Sequence, residues 1–357
     1  MKPKSIWVLC IFSGFLVSSC TKGKNTLEIP SVLVSLDTLE VQSNGYISSA
    51  DFKLSDVHGD SVAYIDLQQK ALVIMDLESN KIVNTIFFEN DGPNALGAGI
   101  SSFYFGDSGQ VFLIASENNI RYMDIEGKIL KQLELTTQNE LKQQKLEYLS
   151  ITSACTLSED NKFYCLYDSL EYRNAGLFVY DIENESYKVN PVNEISHFNS
   201  FDFPKMKFRP HISSFNNEIV ISHPCTNEII IWNKTKKSSL SKSFESKLTA
   251  KQQNFDNLNE DDILGLIQAT RNQVQFKNIL FDKKSNLYFR LTIDKEEVNS
   301  DEYYYTISIF DKNFNFISEV EIGNGVYTDL SFVYNGRLYL PQYSANENVH
   351  FLTVSFE

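Results

Sequence analysis

Gly176-Leu-Phe-Val-Tyr180-Asp181 is an apolar run that ends in a large residue and then a short acid, and the arrangement recurs along the chain. Four further copies are Ala71-Leu-Val-Ile-Met75-Asp76, Asn119-Ile-Arg-Tyr-Met123-Asp124, Glu228-Ile-Ile-Ile-Trp232-Asn233 and Thr306-Ile-Ser-Ile-Phe310-Asp311. An Asp or Asn side chain at that point bonds to backbone two residues on, which ends one strand and opens a turn. A second strand then follows, as in Lys81-Ile-Val-Asn-Thr-Ile86 and Lys128-Ile-Leu-Lys-Gln-Leu133. Polar hairpin turns stand ahead of the repeated runs, among them Asp107-Ser-Gly109, Ser158-Glu-Asp-Asn161, Asn216-Asn217 and Asn335-Gly336. The repeating unit is therefore four antiparallel strands.

The markers stand 48, 57, 52 and 78 residues apart (76 to 124, 124 to 181, 181 to 233, 233 to 311). Periods of about 40 to 55 residues with four strands each match the blades of a β-propeller, the last interval being stretched by an insertion. Six blades are expected, over residues 52–88, 100–135, 150–192, 209–244, 276–322 and 327–357. The sixth has only three strands of its own. The strand-like stretch 31–41 belongs to no other unit and is expected to supply the fourth, closing the ring and covering an exposed edge. Short helical insertions are expected at 139–149, at 249–253 and at 260–271, the last with an apolar stripe of Ile263, Leu266 and Ile267.

The composition agrees with one large all-β domain. The chain has 357 residues, of which 42% are hydrophobic and 13% aromatic, enough to fill a sizeable core and to exclude disorder. Its 32 basic and 46 acidic residues leave a net charge of -14, which repels nucleic acid at long range and excludes it as a partner class.

The first residues read as an address. Lys2 and Lys4 precede an apolar run from Ile6 to Val17, which closes on Leu16-Val17-Ser18-Ser19-Cys20. That run is too short for a permanent span of about 20 residues and has the order of a secretory signal. The small residues before Cys20 resemble the lipobox of bacterial lipoproteins; in that family the cysteine sulfur is acylated and the preceding peptide removed. The resemblance implies residues 1–19 as signal peptide, 20–27 as tether and 28–357 as propeller, held to the membrane by lipid on Cys20. An ordinary signal peptide with an incidental cysteine is the alternative. Thr21-Lys-Gly-Lys24 lacks the acids that export some lipoproteins to the cell surface, so the periplasmic face of the outer membrane is favoured.

With the lipobox, the strand–Asp turns and the aromatic-rich strands, residues 28–357 resemble six-bladed β-propeller lipoproteins of Gram-negative anaerobes, a family (4221) built on a domain of unknown function. The resemblance implies fold and envelope location.

Function has fewer signals. No Gly-x-Ser-x-Gly elbow, phosphate loop or dinucleotide fingerprint occurs, and His58, His197, His211, His223 and His350 show no ligand spacing. No cofactor or metal is expected, and the acids Asp261 and Asp262 read as helix caps. The long connections, including 89–99, 136–149, 168–175, 193–208 and 245–275, all fall on one face of the propeller, where binding is expected. Near that face lie Tyr172, Arg173, Arg209, His211, His223, Arg271 and Arg290, the candidate site for an anionic or hydroxyl-rich ligand. The expected role is a binding or interaction module for a small ligand, glycan or protein partner. The alternative is a hydrolase or lactonase with a divalent ion in the central channel, and fold alone does not choose between them. Cys155 and Cys165 flank the turn at Asp160 by five residues each and should face one another, as a disulfide or as two buried thiols, with Cys225 left single.

Overall fold

The structure, a computed structural model, describes residues 34–41, 52–66, 70–89, 100–105, 111–115, 119–134, 150–168, 175–201, 208, 210–256, 258, 261–295, 303–322, 326, 331–342 and 349–356. The helix expected at 139–149 lies outside them, as do the signal and tether. In chain order, β1 (Val34–Val41) comes first, followed by blade 1: β2 (Phe52–His58), β3 (Ser61–Asp66), β4 (Ala71–Asp76) and β5 (Lys81–Phe87). Blade 2 is β6 (Ile100–Phe105), β7 (Val111–Ala115), β8 (Asn119–Met123) and β9 (Ile129–Glu134). Blade 3 is β10 (Ser150–Leu157), β11 (Lys162–Asp168), β12 (Ala175–Asp181) and β13 (Ser186–Pro191). A 3-10 helix, Asn193–Phe201, leads to blade 4: β14 (His211–Phe215), β15 (Glu218–Ser222), β16 (Ile229–Asn233) and β17 (Ser238–Lys242). Helix α1 (Ile263–Arg271) precedes blade 5: β18 (Gln275–Asp282), β19 (Leu287–Lys295), β20 (Tyr303–Phe310) and β21 (Phe316–Ile322). Blade 6 begins with β22 (Phe332–Tyr334), β23 (Arg337–Gln342) and β24 (Val349–Phe356).

Each blade is a four-stranded antiparallel sheet, and five follow simple sequence order. The sixth runs β1-β24-β23-β22, so the N-terminal strand completes the last blade, in register from Val34 against Phe356 to Val41 against Val349. The innermost strands β2, β6, β10, β14, β18 and β22 touch in cyclic order, with β22 returning to β2. The chain is a closed six-bladed β-propeller.

The markers do the local work expected of them. Asp124 Oδ1 accepts from Glu126 N and Lys128 N at 3.0 and 2.9 Å, and Asp311 Oδ1 from Asn313 N and Asn315 N at 2.7 and 2.8 Å. Asp76, Asp181 and Asn233 reach one residue further, to Ser79, Asn184 and Lys236. The inner hairpins turn on Asn161, Asn216, Asn286 and Asn335, all at positive φ between 49° and 59°, a region Asn tolerates better than most residues. The middle strands, as in Val62 to Ile65 and Ala71 to Met75, are buried throughout because blades cover both faces, hence their continuous apolar runs. Outer strands such as β5 are mostly exposed or half-buried.

The core is divided among the seams between blades. Blades 6 and 1 share a cluster of Val41, Tyr64, Val73, Met75, Phe332, Tyr339 and Phe351, to which the N-terminal strand contributes Val41. The insertion before blade 5 departs from the expectation in two ways. Its segment 249–253 is not helical; Gln252 instead bridges to Thr226. In α1, capped by Asp262 Oδ1 accepting from Gly265 N at 2.9 Å, Leu266 is buried and Ile267 half-buried, but Ile263, in the first turn, is exposed.

One clasp between inner strands is ionisable. Asp56 on β2 accepts from Phe105 N of the neighbouring blade at 2.7 Å and from Val57 N at 2.9 Å. Burial outweighs these bonds and pushes its carboxyl up to about 6. A carboxyl whose folded pKa is raised loses stability as pH climbs from its unfolded value through its folded one. Relative to Asp56→Asn, the native protein should lose of the order of 2 kcal/mol of unfolding free energy between about pH 4 and about pH 7. Urea titrations of both proteins across that range check this; a flat or rising difference would contradict it.

Candidate functional site

Two regions carry chemistry. On the long-connection face, His223 is buried and stacked between Phe198 and Phe201, with ring centroids 4.9 and 5.2 Å away, while Phe208 meets it edge-on. Burial, then the neighbouring His211 and Arg290, push its imidazole down to about 3, so it is neutral, and Nδ1 accepts from Cys225 N at 3.2 Å. Arg290 is fully buried; its Nη2 donates to His223 O and Thr226 O and its Nε to Lys277 O, each at 3.1 Å. Its Cζ lies 4.7 Å from the Phe276 ring, and burial pushes its pKa down to about 9.

Of the residues singled out in the sequence, the structure thus brings His211, His223 and Arg290 together. The last two are engaged in holding blade 4 to blade 5. Arg271 is exposed at the C-terminal end of α1, where a cation complements the helix dipole. Tyr172, Arg173, Arg209 and Cys20 lie outside the described residues. Among the described residues, no three His, Cys, Asp or Glu side chains converge to hold a metal ion.

The register pairs Cys155 directly with Cys165, as the symmetry about Asp160 requires. Cys165 and Cys225 are both buried and form no disulfide. Mature protein unfolded without reductant should therefore titrate three thiols, from Cys155, Cys165 and Cys225. A count of one would show that the opposed pair bridges on oxidation.

The second region is a cleft of ≈ 460 Å³ between blades 3 and 4, at the end of the short turns. The seam between these blades is apolar, with Leu166, Leu177, Ile212, Ile219 and Ile230 at its heart and Tyr164, Val179 and Trp232 at its upper edge. Register then arranges the wall. Tyr164, Val179 and Lys188 form one cross-strand row; Lys162, Asp181 and Ser186 form the next, so all six share the face toward blade 4. The opposite wall is made by the turns Asn216–Asn217 and Lys234–Lys237. Tyr164 and Trp232 meet at 6.2 Å in a tilted pair, forming the floor.

Charge is unevenly compensated here. Lys162 Nζ pairs with Asp160 at 2.6 Å and with Asp181 at 3.9 Å, and the Asp160 bond raises its pKa. Lys234 Nζ donates to Asn216 O at 2.8 Å and lies 5.4 Å from the Tyr164 ring centroid; burial lowers its pKa. The Tyr164 hydroxyl is pushed up to about 12 by burial, then by Asp160 and Asp181, and stays neutral. Glu159 is paired outward with Lys283. Lys188 and Lys237 meet no carboxylate among the described residues. The cleft escaped the sequence reading, yet one signal was present: Lys234-Thr-Lys-Lys237 is the one marker turn holding three lysines, directly after Trp232-Asn233.

Fold and cleft together define a six-bladed propeller with an inter-blade pocket. Residues 25–321 match the profile of the family described as Domain of unknown function (DUF4221), and the chain belongs to that family. A crystal structure of a family member from Bacteroides vulgatus superposes with a TM-score of 0.68 at 14% identity, covering 92% of this chain and 98% of that one. A protein from Bacteroides fragilis that is designated exported superposes at 0.54 with 16% identity, covering 91% and 95% of the two chains. At such identities the likeness shows the fold. None of the curated proteins matches the chain.

Proposed function

We propose that this protein is a lipid-anchored propeller of the cell envelope that works as a binding module, taking a small ligand in the cleft between blades 3 and 4. The observation that carries the reading is the opening of an otherwise apolar seam into a pocket with an aromatic floor and polar, lysine-bearing walls. A volume of ≈ 460 Å³ lies in the range of small-molecule sites. The long-connection face, where the sequence suggested binding, offers among its described residues a packed aromatic cluster around His223 and an internally bonded Arg290. A closed ring whose first and last strands share one blade suits a scaffold that presents a site.

For the envelope, support comes from the lipobox ending at Cys20 and from the exported relative. No helix among the described residues is long and apolar enough to cross a membrane. The anchor on Cys20 then provides attachment, on the periplasmic face of the outer membrane.

Two measurements test the proposal. Intact mass of the mature protein should show an acylated N-terminal Cys20, and Cys20→Ser should leave the membrane fraction; an unmodified terminus elsewhere defeats the anchor. Thermal-shift screening against sugars, sugar acids and dicarboxylates should give hits that vanish in Ser186→Trp, which fills the cleft from its exposed wall. Hits that all survive this variant defeat the cleft as the site.

A further inference from the structure

We infer that the cleft selects a small polyhydroxylated monoanion, a uronic acid or a disaccharide carrying one; the inference rests on the reading of the cleft as a ligand site. Four lysines, Lys162, Lys188, Lys234 and Lys237, face three carboxylates, Glu159, Asp160 and Asp181. One positive charge is left over among the lining residues; just outside, Lys283 pairs with Glu159 and Glu183 acts on Lys162, so these two offset each other. Such an excess, in a chain of net charge -14, is a local feature with a sign opposite to the whole. It suits one carboxylate. A polyanion would bring its further charges against Asp160 and Asp181.

The two lysines without carboxylate partners stand on opposite walls, Lys188 on β13 and Lys237 in the turn after β16, so an anion between them is reached from both sides. Lys162 and Lys234, in the two walls, are already engaged, by Asp160 and by Asn216 O. Asn190, Asn216 and Ser186 add amide and hydroxyl groups that can both donate and accept, the pattern that sugar hydroxyls require. Beneath them Tyr164, Trp232 and Val179, all largely buried, close the cleft with an apolar floor. The volume holds one or two sugar rings.

Calorimetry on the mature protein with galacturonate, glucuronate, a glucuronate–N-acetylglucosamine disaccharide carrying one carboxylate, and neutral galactose tests the inference. At least one of the acids should bind, galactose about tenfold more weakly or not at all, and Lys188→Met/Lys237→Met should weaken the acid about tenfold, as two partly screened charge contacts would. Both lysines are exposed, so thermal stability should stay unchanged and report that the double variant is folded. Equal affinity for galactose and the acids, indifferent to the lysine variants but lost in Ser186→Trp, overturns the anion inference and leaves the cleft as a site. Acid binding that survives Ser186→Trp overturns the cleft itself. Absence of binding by all three acids at millimolar concentration overturns the inference.

Discussion

Removing the N-terminal strand, by starting the chain at residue 42, abolishes the monomeric folded propeller. Eight residues of β24, from Val349 to Phe356, lose their antiparallel partner and become an open edge. The seam between blades 6 and 1 loses Val41, 1% exposed, and the packing of Leu39 against the same cluster. An unpaired edge beside a broken apolar seam is a template for pairing with other chains, so the expected product is oligomeric or aggregated. Size-exclusion chromatography and thermal unfolding read the result. Because that variant can fail outright, two others keep the claim testable. Val41→Asp should fold but lose about 3 to 5 kcal/mol, since it places a charge in a sealed site and deletes apolar contacts. A peptide of residues 31–41 added in trans should restore a monomeric complex to the truncated chain. A truncated chain that stays monomeric with an unchanged melting temperature would show that blade 6 stands on three strands.

Arg290→Met is expected to cost about 3 to 5 kcal/mol of unfolding free energy, the second large effect. The guanidinium serves three carbonyls, those of His223, Thr226 and Lys277, and so ties the connection after β15 to β18. Methionine approximates the stem but removes the charged donor from all three carbonyls, of which His223 O keeps the bond from Thr226 N at 3.4 Å; each buried acceptor that loses its donor costs about 1 to 3 kcal/mol. Part of that loss is offset, because a buried cation with Nη1 lacking a partner is itself expensive to desolvate. Arg290→Lys should recover only a fraction, since one ammonium does not reproduce the planar fork. Urea unfolding gives the number; a loss under about 1 kcal/mol would mean that the carbonyls find other donors.

Those two residues illustrate how far the chain could be read without its fold. Val41 was legible as part of a strand left over after the blades were counted, since alternation is a local property and the last blade lacked one strand, even though the pairing itself joins the two ends of the propeller, Val41 against Val349. Arg290 was not. A lone arginine in a sequence reads as a solvent-facing cation available to a ligand, and only the approach of Pro224 to Thr226 from another blade turns it into an internal brace. His223 misled for the same reason: its stacking partners Phe198 and Phe201 come from a segment that reads as loop and folds as a 3-10 helix.

The sequence by itself determined the repeat, the number of blades and the closing strand. The repeat and the blade count rest on local chemistry: an Asp or Asn bonding backbone two or three residues on, Asn at positive φ in the hairpins, and apolar runs long enough for one strand; the closing strand followed because the last blade was one strand short. The opposition of Cys155 and Cys165 belongs to the same class, being fixed by turn length. The tertiary structure alone decided where a ligand can enter. Lys188 and Lys234 are far apart in sequence and become opposite walls only because two sheets diverge above a shared apolar seam. That divergence is a property of how blades pack, and no spacing within either strand encodes it.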